Sequence, residues 1–161
     1  MCGILGISVE AYQQKNLFVS EVNFRLKFEE ALGMLSHRGP DASGMKIFSE
    51  DGVALGHTRL SIQDLSSAGA QPMMDQHKKI AITYNGEIYN FPELKRNLID
   101  LGYVFTSNTD TEVIIYLYSE FGLDCFAMLD GIFALAIFDK LKNKMIIARD
   151  GLGVKPLYYY G

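Results

Sequence analysis

Two periods run through this chain. Alternation or short apolar runs mark residues 3–9 (Gly-Ile-Leu-Gly-Ile-Ser-Val), a short buried strand punctuated by Gly6. A polar stretch follows. Phe28, Ala31, Leu32 and Leu35 then recur at spacings of three and four, one helix face, before Ser36-His37-Arg38-Gly39-Pro40-Asp41 enforces a turn. Residues 45–48 and 53–60 alternate on either side of Ser49-Glu50-Asp51-Gly52, a hairpin pattern, and residues 66–72 are loop by composition. Residues 80–84 form a strand that delivers Asn85-Gly86-Glu87-Ile88-Tyr89-Asn90. Leu94, Leu98 and Leu101 make the next helix face, with Asn90 and Glu93 at capping-box spacing and Pro92 in the first turn. Residues 106–110 are a second cap region, ahead of a helix carrying Val113, Ile114, Leu117 and Phe121 and closed by Gly122. Residues 132–138 and 145–149 flank a turn and predict a buried hairpin, residues 149–156 a loop, and residues 157–160 the start of another strand. Grouped strands with grouped helices predict an α+β architecture rather than a regular βαβ alternation.

Composition narrows the classes. A chain of 161 residues predicts one domain with a sizeable core. Net charge −4 with no basic patch argues against nucleic acid, and no apolar stretch approaches the roughly 20 residues of a membrane span. Two cysteines, Cys2 and Cys125, are too few for a disulfide framework, and with no secretory leader pattern they predict a cytoplasmic protein.

The candidate chemistry begins at Cys2. With Met1 removed, Cys2 carries a thiol nucleophile and a free α-amine whose ordinary pKa of about 7.7–8.0 makes it a base near neutral pH. A cysteine near a terminus is also commonly inert. His37 and Arg38 fit the fixing of a loop through backbone carbonyls. Arg59 lies among apolar neighbours and needs either a structural ion-pair partner or a carboxylate-bearing substrate. An Asn-Gly pair ordinarily forms a tight turn, yet Asn85-Gly86 joins a strand to a helix approach, where an amide and a backbone N–H can converge on one oxygen as oxyanion donors. Asp110 either caps its helix or faces a ligand ammonium, and Cys125 reads as a small buried hydrophobe.

Taken in order, Met1-Cys2-Gly3-Ile4, His37-Arg38-Gly39-Pro40-Asp41, Arg59-Leu60-Ser61-Ile62, Tyr84-Asn85-Gly86-Glu87-Ile88-Tyr89-Asn90 and Thr109-Asp110-Thr111-Glu112 resemble class II glutamine amidotransferase domains. These are N-terminal-nucleophile (Ntn) hydrolases, and the motif forms are most similar to the asparagine synthetase branch. The resemblance implies a four-layer αββα sandwich of antiparallel sheets over residues 1–161, the N-terminal part of a longer amidotransferase. It implies Cys2 as nucleophile and Asn85 and Gly86 as oxyanion donors. It further implies that Arg59 grips the α-carboxylate of L-glutamine, that Asp110 and Glu87 hold the α-ammonium, and that Leu60 and Ile62 line the pocket. The ammonia released would amidate aspartate or a sugar carboxylate of a surface polysaccharide. ATP and Mg are expected only in a C-terminal synthetase domain, with no cofactor or metal in this one. A homodimer is compatible with the family. The competing reading is a non-catalytic glutamine-binding or scaffold module of the same fold.

Overall fold

The computed structural model describes residues 2–9, 21–60 and 67–161. Among these residues, seven strands form two antiparallel sheets. The first has the order β1 (Gly3–Ser8), β3 (Val53–Arg59), β2 (Ala42–Phe48), and the second β4 (Met73–Met74), β5 (Ile80–Ile88), β6 (Gly131–Asp139), β7 (Lys144–Arg149). The helices are α1 (Glu21–Gly33), α2 (Phe91–Asp100) and α3 (Asp110–Phe121).

The layering follows from strand alternation, since successive side chains leave opposite faces of a sheet. Ala54 meets Phe24 and Phe28 of α1, with Leu5, Ile7, Met45 and Ile47 beside them. Its neighbours Val53 and Leu55 face the other way and pack with Ala81, Ala136 and Phe138 of the second sheet. The far face of that sheet presents Ile82, Tyr84, Leu135 and Ile137 to Leu94 and Leu98 of α2 and to Ile114 and Leu117 of α3. The order is therefore helix, sheet, sheet, helices. Burying one such aliphatic side chain contributes about 1.5–3 kcal/mol, so these three clusters carry most of the fold's stability. A Thr83 hydroxyl donating to the Gly56 carbonyl at 2.9 Å ties the sheets together.

Several expectations are corrected. The helix face of α1 is Phe24, Phe28 and Leu32, all buried, one turn earlier than the predicted set. The hairpin's first strand starts at Ala42 rather than 45. Asn85 and Gly86 form neither a turn nor a junction: β5 continues through them to Ile88, paired residue by residue with β6. The capping box at Asn90 does not form. The Asn90 amide instead donates to the Met128 carbonyl at 2.9 Å and its oxygen accepts from the Asp130 N–H at 3.0 Å, bracing β5 against the approach to β6. Asp110 is not the cap of α3, because Thr109 occupies that position and accepts from the Glu112 N–H at 3.3 Å. Residues 157–160 are not a strand; Tyr158, Tyr159 and Tyr160 are 83–102% exposed, and no strand pairs with them among the described residues. Cys125 is buried as expected, and burial pushes its thiol up to about 12, which leaves it protonated and inert.

Candidate active site

The inner faces of the two sheets diverge at one end and leave a cleft. By alternation, Val53, Leu55, His57 and Arg59 share the inner face of β3, and Ala81, Thr83, Asn85 and Glu87 share that of β5. The apolar members close the interface between the sheets. His57, Arg59, Asn85 and Glu87 come last along the two strands and line the opening. The cleft holds about 160 Å³, far below the roughly 300–1,000 Å³ of pockets for drug-sized ligands, and suits a molecule the size of an amino acid.

Seven of the eight residues singled out in the sequence lie together on this cleft: Cys2, Arg59, Leu60, Asn85, Gly86, Glu87 and Asp110. Ile62 lies outside the described residues. They come from four separate stretches of chain. The Leu60 N–H donates to Cys2 Sγ at 3.4 Å, and the thiol faces the Leu60 carbonyl at 3.8 Å. The main chain around Cys2 is held from three sides. Arg38 Nε donates to the Cys2 carbonyl at 3.2 Å, Gly3 N–H donates to Thr58 Oγ1 at 3.1 Å, and that hydroxyl donates to the Leu35 carbonyl at 3.1 Å. His37 Nδ1 pairs with the Met34 carbonyl at 3.0 Å. The expected loop-fixing role of His37 and Arg38 is what the geometry contains, with Arg38 also steadying the segment of Cys2.

Gly86 is required by close approach: a Cβ there would collide with the Ile132 carbonyl and the Phe133 backbone of β6. Only a residue without a side chain lets β5 and β6 come this close at the cleft's edge. Gly69, in the short turn Ser67–Gly69, plays a similar part for Arg59, since a Cβ would sit 2.5 Å from Arg59 Nη2.

Asp110 is 4% exposed at the first turn of α3. Its Oδ2 accepts from the Tyr84 hydroxyl at 2.6 Å and from the Ile88 N–H at 3.0 Å. Burial raises its pKa, against the opposing pull of these two donors. Tyr84 is raised as well, by burial first and then by the Asp110 charge, so its hydroxyl stays a proton donor.

Sequence reasoning passed over several lining residues. Gln71 joins three elements: its Oε1 accepts from the Tyr84 N–H at 2.7 Å and its Nε2 donates to Thr111 Oγ1 at 3.2 Å. It sits in a loop without periodicity, which offers no signal. His57 lowers to about 4 through burial first, with the Arg59 charge adding and a hydrogen bond to the Tyr84 backbone opposing, so it is neutral at pH 7. Its Nε2 is buried without a hydrogen-bond partner among the described residues. Lys155 reaches the cleft from the loop after β7. That loop is folded around Asp150, whose carboxylate accepts from the Phe133, Val154 and Lys155 N–H groups at 2.8–3.1 Å.

A family model of the glutamine amidotransferase domain matches residues 1–161. The chain belongs to this family. It is similar to the glutamine-hydrolysing asparagine synthetase of Sandersonia aurantiaca, with 42% identity over 98% of this chain and 28% of that protein. It is also similar to the amidase chry2 of Gibberella zeae, with 41% identity over 83% of this chain and 20% of that protein. Among solved structures, the B. subtilis glutamine phosphoribosylpyrophosphate amidotransferase complexed with ADP and GMP matches with TM-score 0.52 and 28% identity, over 62% of this chain and 23% of that one. The asparagine synthetase-like motif forms therefore agree with the relatives, and the α+β fold agrees with an Ntn amidotransferase. The chain spans between 20% and 32% of the length of the curated relatives it matches. No helix among the described residues is long and apolar enough to cross a membrane.

Proposed function

We propose that this domain hydrolyses the side-chain amide of L-glutamine to glutamate and ammonia, with Cys2 as an N-terminal nucleophile once Met1 has been removed. The observation that carries this reading is the convergence on one amino-acid-sized cleft of Cys2, Arg59, Asn85, Gly86, Glu87 and Asp110. In this reading Cys2 Sγ adds to the amide carbonyl carbon while the α-amine takes the thiol proton. The carbonyl oxygen becomes an oxyanion, held by the Asn85 amide and the Gly86 N–H. Collapse of that intermediate breaks the C–N bond, the α-ammonium gives its proton to the departing nitrogen, and ammonia leaves. Water then adds to the γ-glutamyl thioester, and breakage of the C–S bond returns the thiol and releases glutamate.

Recognition divides by charge. Arg59 takes the substrate α-carboxylate as a fork of N–H donors, and Asp110 with Glu87 takes the α-ammonium. Leu60 lines the same subsite. Each charge on the ligand meets an opposite charge, so burying the zwitterion leaves none uncompensated.

The ammonia goes to an ATP-dependent amidation of a carboxylate, aspartate or a sugar acid, in a synthetase domain that also holds ATP and Mg. The domain itself needs no cofactor or metal in this scheme and works in the cytoplasm. Intact-mass spectrometry before and after a glutamine-mimicking electrophile tests the reading. Loss of Met1 with one adduct, absent from a Cys2→Ala variant, is the expected outcome. Adduct formation in Cys2→Ala, or glutamine turnover undiminished by that change, overturns it in favour of a scaffold or binding module.

A further inference from the structure

We propose that Tyr84 is a positioning residue that makes the cleft selective for amides bearing an α-ammonium, by donating its hydroxyl proton to Asp110 and so presenting that carboxylate to the ligand. The inference rests on the reading of Asp110 given above.

Tyr84 starts the segment of β5 that also carries Asn85, Gly86 and Glu87 and ends at Ile88. The two ends of that segment both bond to Asp110 Oδ2, Tyr84 through its hydroxyl at 2.6 Å and Ile88 through its N–H at 3.0 Å. The residues between the two anchors include the proposed oxyanion donors. One strand therefore sets the distance between the carboxylate and the point where the amide must react. That distance is the span from the α-carbon to the side-chain carbonyl of the substrate. Tyr84 is itself clamped, because its N–H donates to Gln71 Oε1 at 2.7 Å and Gln71 reaches Thr111 on α3 at 3.2 Å. A hydroxyl 2.6 Å from a carboxylate oxygen is a short, charge-assisted bond, stronger than one between neutral partners.

The same bond favours the ionised form of the carboxylate. Burial favours the neutral acid, and a neutral Asp110 offers an ammonium much less; the Tyr84 hydroxyl and the Ile88 N–H act against burial. The titratable and charged groups sharing the cleft with Asp110 are Cys2, His57 and Arg59 from the first sheet, Tyr84 and Glu87 from β5, and Lys155 from the loop after β7. Glu112, the nearest carboxylate on its own helix, turns away to Thr106 and Ser107. Removing the Tyr84 hydroxyl therefore moves Asp110 further up.

The test compares L-glutamine with 4-carbamoylbutanoate, which keeps the amide and the carboxylate and lacks the ammonium, as substrate and competitive inhibitor of the full-length protein and its variants. Tyr84→Phe retains the ring in the core. It is expected to raise KM for L-glutamine about ten-fold with kcat changed little. Affinity for 4-carbamoylbutanoate should stay unchanged, and the acid limb of kcat/KM for L-glutamine should move to higher pH. The unchanged analogue affinity shows in the same experiment that the cleft is folded. Equal losses for both ligands, or an unmoved acid limb with unmoved KM, overturn the proposal. Asp110→Asn separates the two levels. If the wild-type protein does not prefer L-glutamine, or Asp110→Asn keeps the preference, the reading of Asp110 fails and the inference with it. If Asp110→Asn loses the preference and Tyr84→Phe keeps it, the role of Tyr84 alone fails.

Discussion

Asp110 and Glu112 leave the same first turn of α3 and end in opposite states. Glu112 is saturated: the Thr106 and Ser107 N–H groups and both their hydroxyls donate to it at 2.6–3.2 Å, and these donors hold its pKa below the ordinary value although burial pushes the other way. At Asp110 burial wins and raises the pKa, against the Tyr84 hydroxyl and the Ile88 N–H on one oxygen and the pull of the Thr111 and Asp110 backbone N–H groups. Both residues are about 4% exposed at the surface, but Asp110 lies deeper among protein atoms, so desolvation outweighs its donors, whereas on Glu112 the donors outweigh desolvation. A carboxylate fully compensated by its own loop is a structural staple. One whose burial is not fully compensated, on the wall of a cleft, is suited to a cationic ligand that completes it.

The widest break between the two comes from neutralising each. Asp110→Asn is expected to lower kcat/KM for L-glutamine about 100-fold, since one partner of a buried charge pair is lost. Stability should hold or rise slightly. With its folded pKa raised, Asp110 destabilises the fold progressively as pH climbs from the ordinary carboxylate value through the folded one, and Asn removes that cost. Glutamine kinetics and thermal melts at pH 7 read both halves. A large loss of stability with unchanged kinetics would reverse the roles drawn for this pair.

Glu112→Gln should do the converse. Its new amide N–H₂ faces donors rather than acceptors, and a loss of about 2–3 kcal/mol is expected in denaturant unfolding at pH 7. The pH dependence sharpens this. With its folded pKa lowered, the stability Glu112 contributes is fully present above the ordinary glutamate value of 4.5 and disappears as pH falls through the lower folded value. Between those limits the wild-type protein should lose stability faster on acidification than Glu112→Gln does. Parallel acid slopes for the two proteins would remove Glu112 from the account.

How far the sequence carried is clearest along β5. Ile80, Ile82, Tyr84, Gly86 and Ile88 fall on one parity, so the alternation did run through Asn85-Gly86 to the strand's end, but the turn preference of that dipeptide concealed it. The apolar helix faces of α2 and α3, apart from their last members Leu101 and Phe121, which are exposed, the hairpin at Ser49–Asp51 and seven residues of the cleft were legible because period and residue chemistry are local properties. The partners of Asn90 and Asp110 were not. Each found a bond 22–40 residues away, from Ile88 or across to Met128 and Asp130, and such distant offers displaced the local caps that spacing suggested. Gln71 stayed hidden for the same reason, since a loop glutamine has no period, and its importance lies in joining β5 to α3.

The smallest effect belongs to the opposite wall, where Arg59 is placed by an absence of side chain. A Cβ on Gly69 would lie 2.5 Å from Arg59 Nη2 and 3.2 Å from Thr109 Cγ2. The nearer atom is the far end of a long, adjustable side chain, so Gly69→Ala should be accommodated by a shift of the guanidinium of about 1 Å, with little change in stability. A fork that must meet a carboxylate with two parallel bonds is sensitive to such a shift, and KM for L-glutamine is expected to rise about three-fold with kcat unchanged. The ammonium side offers the contrast: 4-carbamoylbutanoate keeps its carboxylate, so Gly69→Ala should weaken it as much as L-glutamine, whereas Tyr84→Phe should spare it. An unaltered KM for both ligands would mean that the carboxylate does not bind at Arg59, and that the division of the cleft into an anionic and a cationic wall has been drawn in the wrong place.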